Sequence, residues 1–177
     1  MVWFRNVDRR YPFLWETADQ PPARWHDAGE GPVQYLASTP DGAWAEFLRR
    51  EEITDPADLD GVERALWAVE VNEEGEVLAE PQLADRVLTG GLASYPACRH
   101  EARRLREEGV TALSAPSAAV VAGGARGQRV AGGLTEADDV DGRVLALFGS
   151  RPEARGWACC SPGRPQERLL PLVRPLS

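Results

Sequence analysis

The residues best suited to chemistry lie between Arg24 and Glu46. Arg24-Trp25 is followed by a glycine-rich turn, a short strand centred on Tyr35, a Thr39-Pro40 helix start and then Glu46. Neighbouring elements thus deliver a guanidinium, an aromatic face and a carboxylate. A planar guanidinium pairs with phosphate oxygens, a tyrosine ring stacks on flat heterocycles, and a carboxylate accepts hydrogen bonds from ribose hydroxyls. The set suits a ligand that carries phosphates, a ring and a sugar.

Each residue also has a plainer reading. Glu46 lies about 130° from the centre of the Trp44/Phe47/Leu48 face at ~100° per residue, so it is either a solvated partner of Arg50 at i+4 or a carboxylate at a pocket rim. Tyr35 shares a strand face with Val33 and Ala37 and is either a core tyrosine with a tied hydroxyl or a stacking platform. Arg5 and Arg24 adjoin tryptophan-containing segments, where an arginine either covers an aromatic surface or binds phosphate. Ser117 follows Pro116 in what reads as a turn. His26 has no carboxylate at a telling spacing, and inventory alone does not make a Ser-His-Asp triad.

The elements that must position these residues follow from pattern. Strands are expected at Val2–Arg5, Pro32–Ser38, Ala65–Asn72, Val110–Leu113, Ala118–Ala122 and Arg143–Phe148. Thr39 as a hydroxyl N-cap with Pro40 at the first helical position starts one helix. A second helix spans Tyr95–Glu108, with Ala97, Cys98, Ala102 and Leu105 apolar and Gly109 as its stop. Asn72–Gly75 is turn-like, with Glu76–Ala79 as the returning strand of a hairpin. Asp8–Glu30 reads as loop or short helix, with Tyr11, Trp15 and Trp25 as cover or pocket wall. Ser114–Ser117 reads as a bend and Gly123–Gly133 as a Gly/Arg-rich loop. From Gly149 onward proline, glycine and arginine dominate, and LLPLVRPL is expected to be an edge strand or extended tail. Strands and helices mix without a βαβ rhythm, which favours an α+β fold. The GGARGQ stretch lacks the lysine of a P-loop.

Composition bounds the function classes. The chain has 177 residues, enough for one domain with a real core. A formal net charge of −8 disfavours non-specific binding to a phosphate backbone. All basic residues are arginine, in keeping with a composition rich in alanine, glycine and proline. No run approaches the ~18 apolar residues of a membrane helix, and the N-terminus lacks the pattern of a signal peptide, so a cytoplasmic location is expected. Cys98, Cys159 and Cys160 form a poor disulfide framework. With His26 and His100 they offer no zinc spacing, so no metal is expected.

The order of these residues resembles the RES domain family, named for its Arg, Glu and Ser. The match starts at Arg5 and continues through Arg24-Trp25, Gly31-Pro32-Val33-x-Tyr35-x-Ala37-Ser38 and Ala43-x-x-Glu46. It then takes in Gly109-Val110 and Pro116-Ser117 and ends near Leu145–Phe148. It covers roughly residues 3–150, leaving a Pro/Arg-rich extension over 149–177. His26 stands where the family usually has Asn, and the Asp8–Gln20 loop does not align.

The resemblance implies an ADP-ribosyltransferase-like split sheet with flanking helices, and a toxin of a toxin–antitoxin pair that consumes NAD by hydrolysis or phosphorolysis of the nicotinamide–ribose bond. It implies Arg5 and Arg24 on the NAD phosphates, Tyr35 on the nicotinamide side, Glu46 on the ribose and Ser117 lining the site, with Glu46, Arg5 and Tyr35 as the catalytic set. It also implies a cognate antitoxin with a DNA-binding domain. ADP-ribosyl transfer to a macromolecule and a catalytically silent binding module are the alternatives.

Overall fold

The computed structural model describes every residue except 15, 18, 131 and 132. Trp15, one of the expected pocket-wall aromatics, therefore lies outside the described residues. The architecture is a seven-stranded mixed sheet with its main helices on one face, an α+β fold as expected.

The strands are β1 (Val2–Asp8), β2 (Val33–Ala37), β3 (Arg64–Glu70), β4 (Leu78–Ala79), β5 (Ala112–Pro116), β6 (Ala125–Val130), β7 (Leu134–Val140), β8 (Arg143–Phe148) and β9 (Arg155–Gly163). The sheet order is β4-β5-β8-β2-β1-β3-β9, with β6 and β7 forming a separate antiparallel pair. Only β4–β5 is parallel within the large sheet. The seam that matters lies between β1 and β2. These strands pair at one position, Phe4 with Ala37, whereas β1 pairs with β3 along its whole length. The sheet is split there, and β1 and β2 diverge.

Helix α1 (Pro40–Arg50) starts where the Thr39 hydroxyl accepts the Gly42 N–H at 2.9 Å. This satisfies one of the first-turn donors left over by helix geometry. Its Ala43, Trp44, Phe47 and Leu48 pack with Phe4, Ala37 and Leu66 from the sheet. A short helix α2 (Asp85–Leu88) precedes α3 (Tyr95–Glu107). Cys98, Ala102 and Leu105 of α3 pack on Val33, Leu113, Ala146 and Phe148. Gly109, at φ +88°, ends α3 in the left-handed region that glycine adopts without a Cβ penalty. Residues of alternate register, among them Trp3, Leu36, Val69 and Leu145, form a third cluster on the opposite sheet face.

Several expectations are corrected. Glu76–Ala79 does not return beside β3; Leu78–Ala79 instead pairs in parallel with β5 near the opposite edge of the sheet. Ser114 and Ala115 continue β5 rather than bend, because both strand faces are buried there. Ala118–Ala122 holds only an isolated bridge from Val120 to Val173. Ala125–Val130 is a strand, paired with β7, so the glycine-rich region is largely not loop. Ala97 is exposed on α3, while Glu101 is buried there and held by Arg104.

The C-terminal region is also more ordered than a tail. β9 forms the far edge of the sheet against β3. A 3-10 helix follows at Glu167–Leu172. Arg168 grips buried Asp41 of α1 with bonds of 2.9 and 2.8 Å. The chain then runs beside residues 119–121, with the Arg174 N–H on the Ala119 carbonyl at 2.7 Å and the Val121 N–H on the Leu172 carbonyl at 2.9 Å.

Candidate active site

The divergence of β1 and β2 opens a cavity of about 250 Å³. β1 contributes Phe4, Arg5 and Asn6, and β2 contributes Tyr35, Leu36 and Ala37. α1 forms a further wall through Glu46, Phe47, Arg49 and Arg50. Arg24, Tyr95, Pro116, Ala118 and Leu176 complete the parts that bear on chemistry. Four of the five residues singled out from sequence, Arg5, Arg24, Tyr35 and Glu46, thus line one cavity. The fifth, Ser117, sits one layer back between two lining residues.

Glu46 is half-buried and makes no ion pair among the described residues. Arg50, its plain-reading partner, bonds Glu51 instead at 2.9 Å. The Glu46 carboxylate accepts the Ser117 hydroxyl at 3.0 Å. That hydroxyl is itself aimed by the Ala119 and Val120 N–H groups, at 3.1 and 3.3 Å. Burial raises the Glu46 pKa above the ordinary glutamate value, and the Ser117 bond and the Arg49 and Arg24 charges oppose the rise. A carboxylate held in this way is an acceptor for hydroxyls and a stabiliser of positive charge that develops nearby.

Tyr35 has the tied hydroxyl of a core tyrosine and also lines the cavity. Its ring lines the cavity, while its hydroxyl is committed behind it. The Trp25 N–H donates to that hydroxyl at 3.0 Å, and His26 Nδ1 lies 2.9 Å from it. His26 Nε2 faces the Pro21 carbonyl at 3.0 Å. One tautomer serves every group: Nε2–H donates to Pro21, and the Tyr35 O–H donates to Nδ1. His26 is thus a buried, neutral brace, and burial lowers its pKa. Burial likewise raises the Tyr35 phenol, so the ring and not a phenolate faces the cavity.

The arginines form two groups. Half-buried Arg5 donates to Gln34 across the β1–β2 split. Burial, then Arg50 and Arg64, lower its pKa to about 10, which leaves it cationic at neutral pH. On the other side Arg24 and Arg49 are both buried. Arg24 donates to the Gly90 and Val87 carbonyls and to the Ser94 hydroxyl, at 2.5, 3.2 and 2.9 Å, and stacks 4.8 Å from the Tyr95 ring centre. Arg49 donates to Gly90 and Pro175 carbonyls. The cavity therefore offers cations around one carboxylate, a field that favours an anionic ligand.

Sequence reasoning missed Arg49, Tyr95 and Leu176. Arg49 had a signal, since it stands at i+3 from Glu46 on the same helix. Tyr95 and Leu176 had none, because they reach the cavity from segments remote in sequence. Among the described residues no group of three or more His, Cys, Asp or Glu could hold a metal ion. No helix among them is long and apolar enough to cross a membrane.

An α+β fold with a split mixed sheet, and a carboxylate flanked by arginines at the split, defines the class of protein. The chain belongs to the RES domain family, whose model matches residues 3–157. Membership supports a toxin-type role in broad terms. No match was found among curated proteins. The family segment ends within β9, so the 3-10 helix and the Val173–Leu176 stretch that reaches the cavity lie beyond it.

Proposed function

We propose that this protein is a RES-type toxin that cleaves the nicotinamide–ribose bond of NAD, with water or inorganic phosphate as acceptor. The observation that carries the reading is Glu46: a carboxylate on the cavity wall, with no ion pair among the described residues, braced by Ser117 and flanked by buried arginines.

In this reading Glu46 accepts hydrogen bonds from the ribose attached to nicotinamide and stabilises the oxocarbenium character that grows there. The C–N bond breaks with its electron pair passing to the ring nitrogen. Nicotinamide leaves neutral, so no general acid is required. An oxygen of water, which gives up one proton to solvent, or of phosphate, already anionic, then bonds to the ribose carbon. Tyr35 packs its ring on the nicotinamide side, and Arg5 and Arg24 hold the phosphates. Ser117 acts through Glu46, by fixing its orientation and charge. Binding energy from the remote diphosphate is available for orientation at the reacting bond. No step calls on a metal.

The reading extends to a cytoplasmic toxin with residues 1–177 as one domain, restrained by an antitoxin that carries a DNA-binding domain; family membership supports the toxin-type role. The test is turnover of NAD by purified protein with and without phosphate, with products identified by mass. Free ADP-ribose marks hydrolysis and ADP-ribose 1″-phosphate marks phosphorolysis. Label fixed on protein or nucleic acid in a lysate would replace this reading with ADP-ribosyl transfer. A folded protein that neither binds nor consumes NAD would be a silent module.

A further inference from the structure

Arg24 and Arg49 are each more than nine-tenths buried, at 8% and 5% exposure, yet neither has a carboxylate within ion-pair distance among the described residues. Two guanidiniums converge instead on one neutral acceptor, the Gly90 carbonyl, at 2.5 and 2.7 Å. Burying unpaired like charges together is costly. Glu46 is a carboxylate close enough for the charges of both to act on it.

The hydrogen bonds also leave donors over. A guanidinium has five N–H groups. Arg49 uses Nε and Nη2 on the Pro175 and Gly90 carbonyls, and its Nη1 donates to no described residue. Arg24 uses Nη1 and Nη2, and its Nε donates to no described residue. Both side chains line the cavity.

We propose that Arg49, positioned by the C-terminal segment Arg174–Leu176, is a further diphosphate-binding residue, beyond Arg5 and Arg24, that acts as a pair with Arg24. The proposal rests on the NAD reading and adds to it a residue and a positioning element. The Pro175 carbonyl takes two N–H groups of Arg49, at 3.1 and 2.9 Å, and so fixes the plane of the fork. The segment is itself pinned. The Leu92 N–H donates to the Leu176 carbonyl at 3.1 Å, and Arg174 donates to the Ser117 carbonyl at 3.0 Å. Gly91 admits this approach, since a Cβ there would meet the Leu176 oxygen at 2.3 Å.

The test compares ligands with and without the diphosphate. NAD kinetics are measured for the full chain and for Arg49→Ala, Arg49→Lys and Gly91→Ala, together with inhibition by ADP-ribose and by nicotinamide. Arg49→Ala should raise the KM for NAD and the Ki for ADP-ribose about 10- to 100-fold, the range for hydrogen bonds to charged groups. The Ki for nicotinamide should stay within about twofold, as its site lacks the contact. Arg49→Lys, which keeps the charge and loses the fork, should fall between. Gly91→Ala leaves Arg49 in place but displaces Leu176, and should weaken ADP-ribose severalfold.

Unchanged ADP-ribose inhibition in both Arg49 variants would overturn the proposal, as would an equal rise for nicotinamide. Unchanged behaviour of Gly91→Ala would overturn the positioning role of the C-terminal segment. Should the wild type not consume NAD, the proposed function fails, and calorimetric titration with ADP-ribose decides separately. Binding that Arg49→Ala weakens upholds the paired anion site, and no binding to the wild type overturns it.

Discussion

The Ser117 hydroxyl donates to Glu46 at 3.0 Å while accepting the Ala119 and Val120 N–H groups. Two residues far apart in the chain thereby make one functional unit. Ser117 contributes no surface to the cavity but governs the charge of the carboxylate that does.

Removing that hydroxyl has a signed consequence. Burial raises the Glu46 pKa and the Ser117 bond opposes it, so Ser117→Ala should raise it further. The acid limb of kcat/KM for NAD, which reports the free enzyme, should move to higher pH, with a smaller effect well above the limb. A pH–rate profile superimposable on that of the wild type would contradict the link. The two stranded N–H groups should also cost about 1–3 kcal/mol in denaturant unfolding.

Glu46→Gln should abolish NAD turnover without unfolding the protein. Its stability should depend on pH in a defined direction. A carboxyl whose folded pKa is raised binds more protons folded than unfolded between the two values, so stability falls as pH rises through that window. The window opens near the ordinary value of 4.5. Glu46→Gln should therefore melt at or above the wild type at neutral pH, with the gap closing below pH 4.5. A variant that melts lower at neutral pH would show that the carboxylate stabilises the fold.

His26 should act in the opposite sense. Its folded pKa is lowered, chiefly by burial, so the unfolded chain binds the proton first as pH falls below about 6.5. Stability is full above that value and is lost toward acid. Replacement by Asn, which carries no titrating group, should flatten the decline in Tm on acidification. An unchanged slope would mean that another group sets it.

Tyr35→Phe separates ring from hydroxyl. The ring lines the cavity, and the hydroxyl serves Trp25 and His26. The variant should lose about 1–3 kcal/mol of stability from unpaired buried groups yet keep kcat/KM within severalfold, whereas Tyr35→Ala should lose activity. A Phe variant as inactive as Ala would place the hydroxyl in the chemistry.

Asp41 anchors the C-terminal region through Arg168. Asp41→Ala strands a guanidinium and the Arg126 N–H that Asp41 also accepts. It should cost about 2 kcal/mol by denaturant titration. No loss would make the pair dispensable.

What could be read from the sequence was local. Thr39-Pro40 set the start of α1 through a side-chain cap, and Gly109 set the end of α3 through its backbone freedom. The apolar spacing of Cys98, Ala102 and Leu105 marked the face that packs on the sheet. The order of Arg5, Arg24, Tyr35, Glu46 and Ser117 was enough to indicate the family. Where local signals misled, partners distant in the chain decided. Leu78–Ala79 has a turn before it but pairs in parallel with β5, and the Gly/Arg-rich stretch becomes a strand only because β7 lies beside it.

The tertiary structure alone decided what these residues do together. Helical periodicity assumes one buried face and one wet face, and α1 violates it: its second side meets the cavity and the C-terminal segment, so Glu46 is half-buried and Arg49 buried. Burial is what shifts the pKa of one and leaves the charge of the other without a carboxylate partner. Residue types and spacing fix which groups are available, because those are covalent facts. Which of them share a low-dielectric space depends on contacts between segments remote in sequence, and a linear pattern carries no term for those contacts.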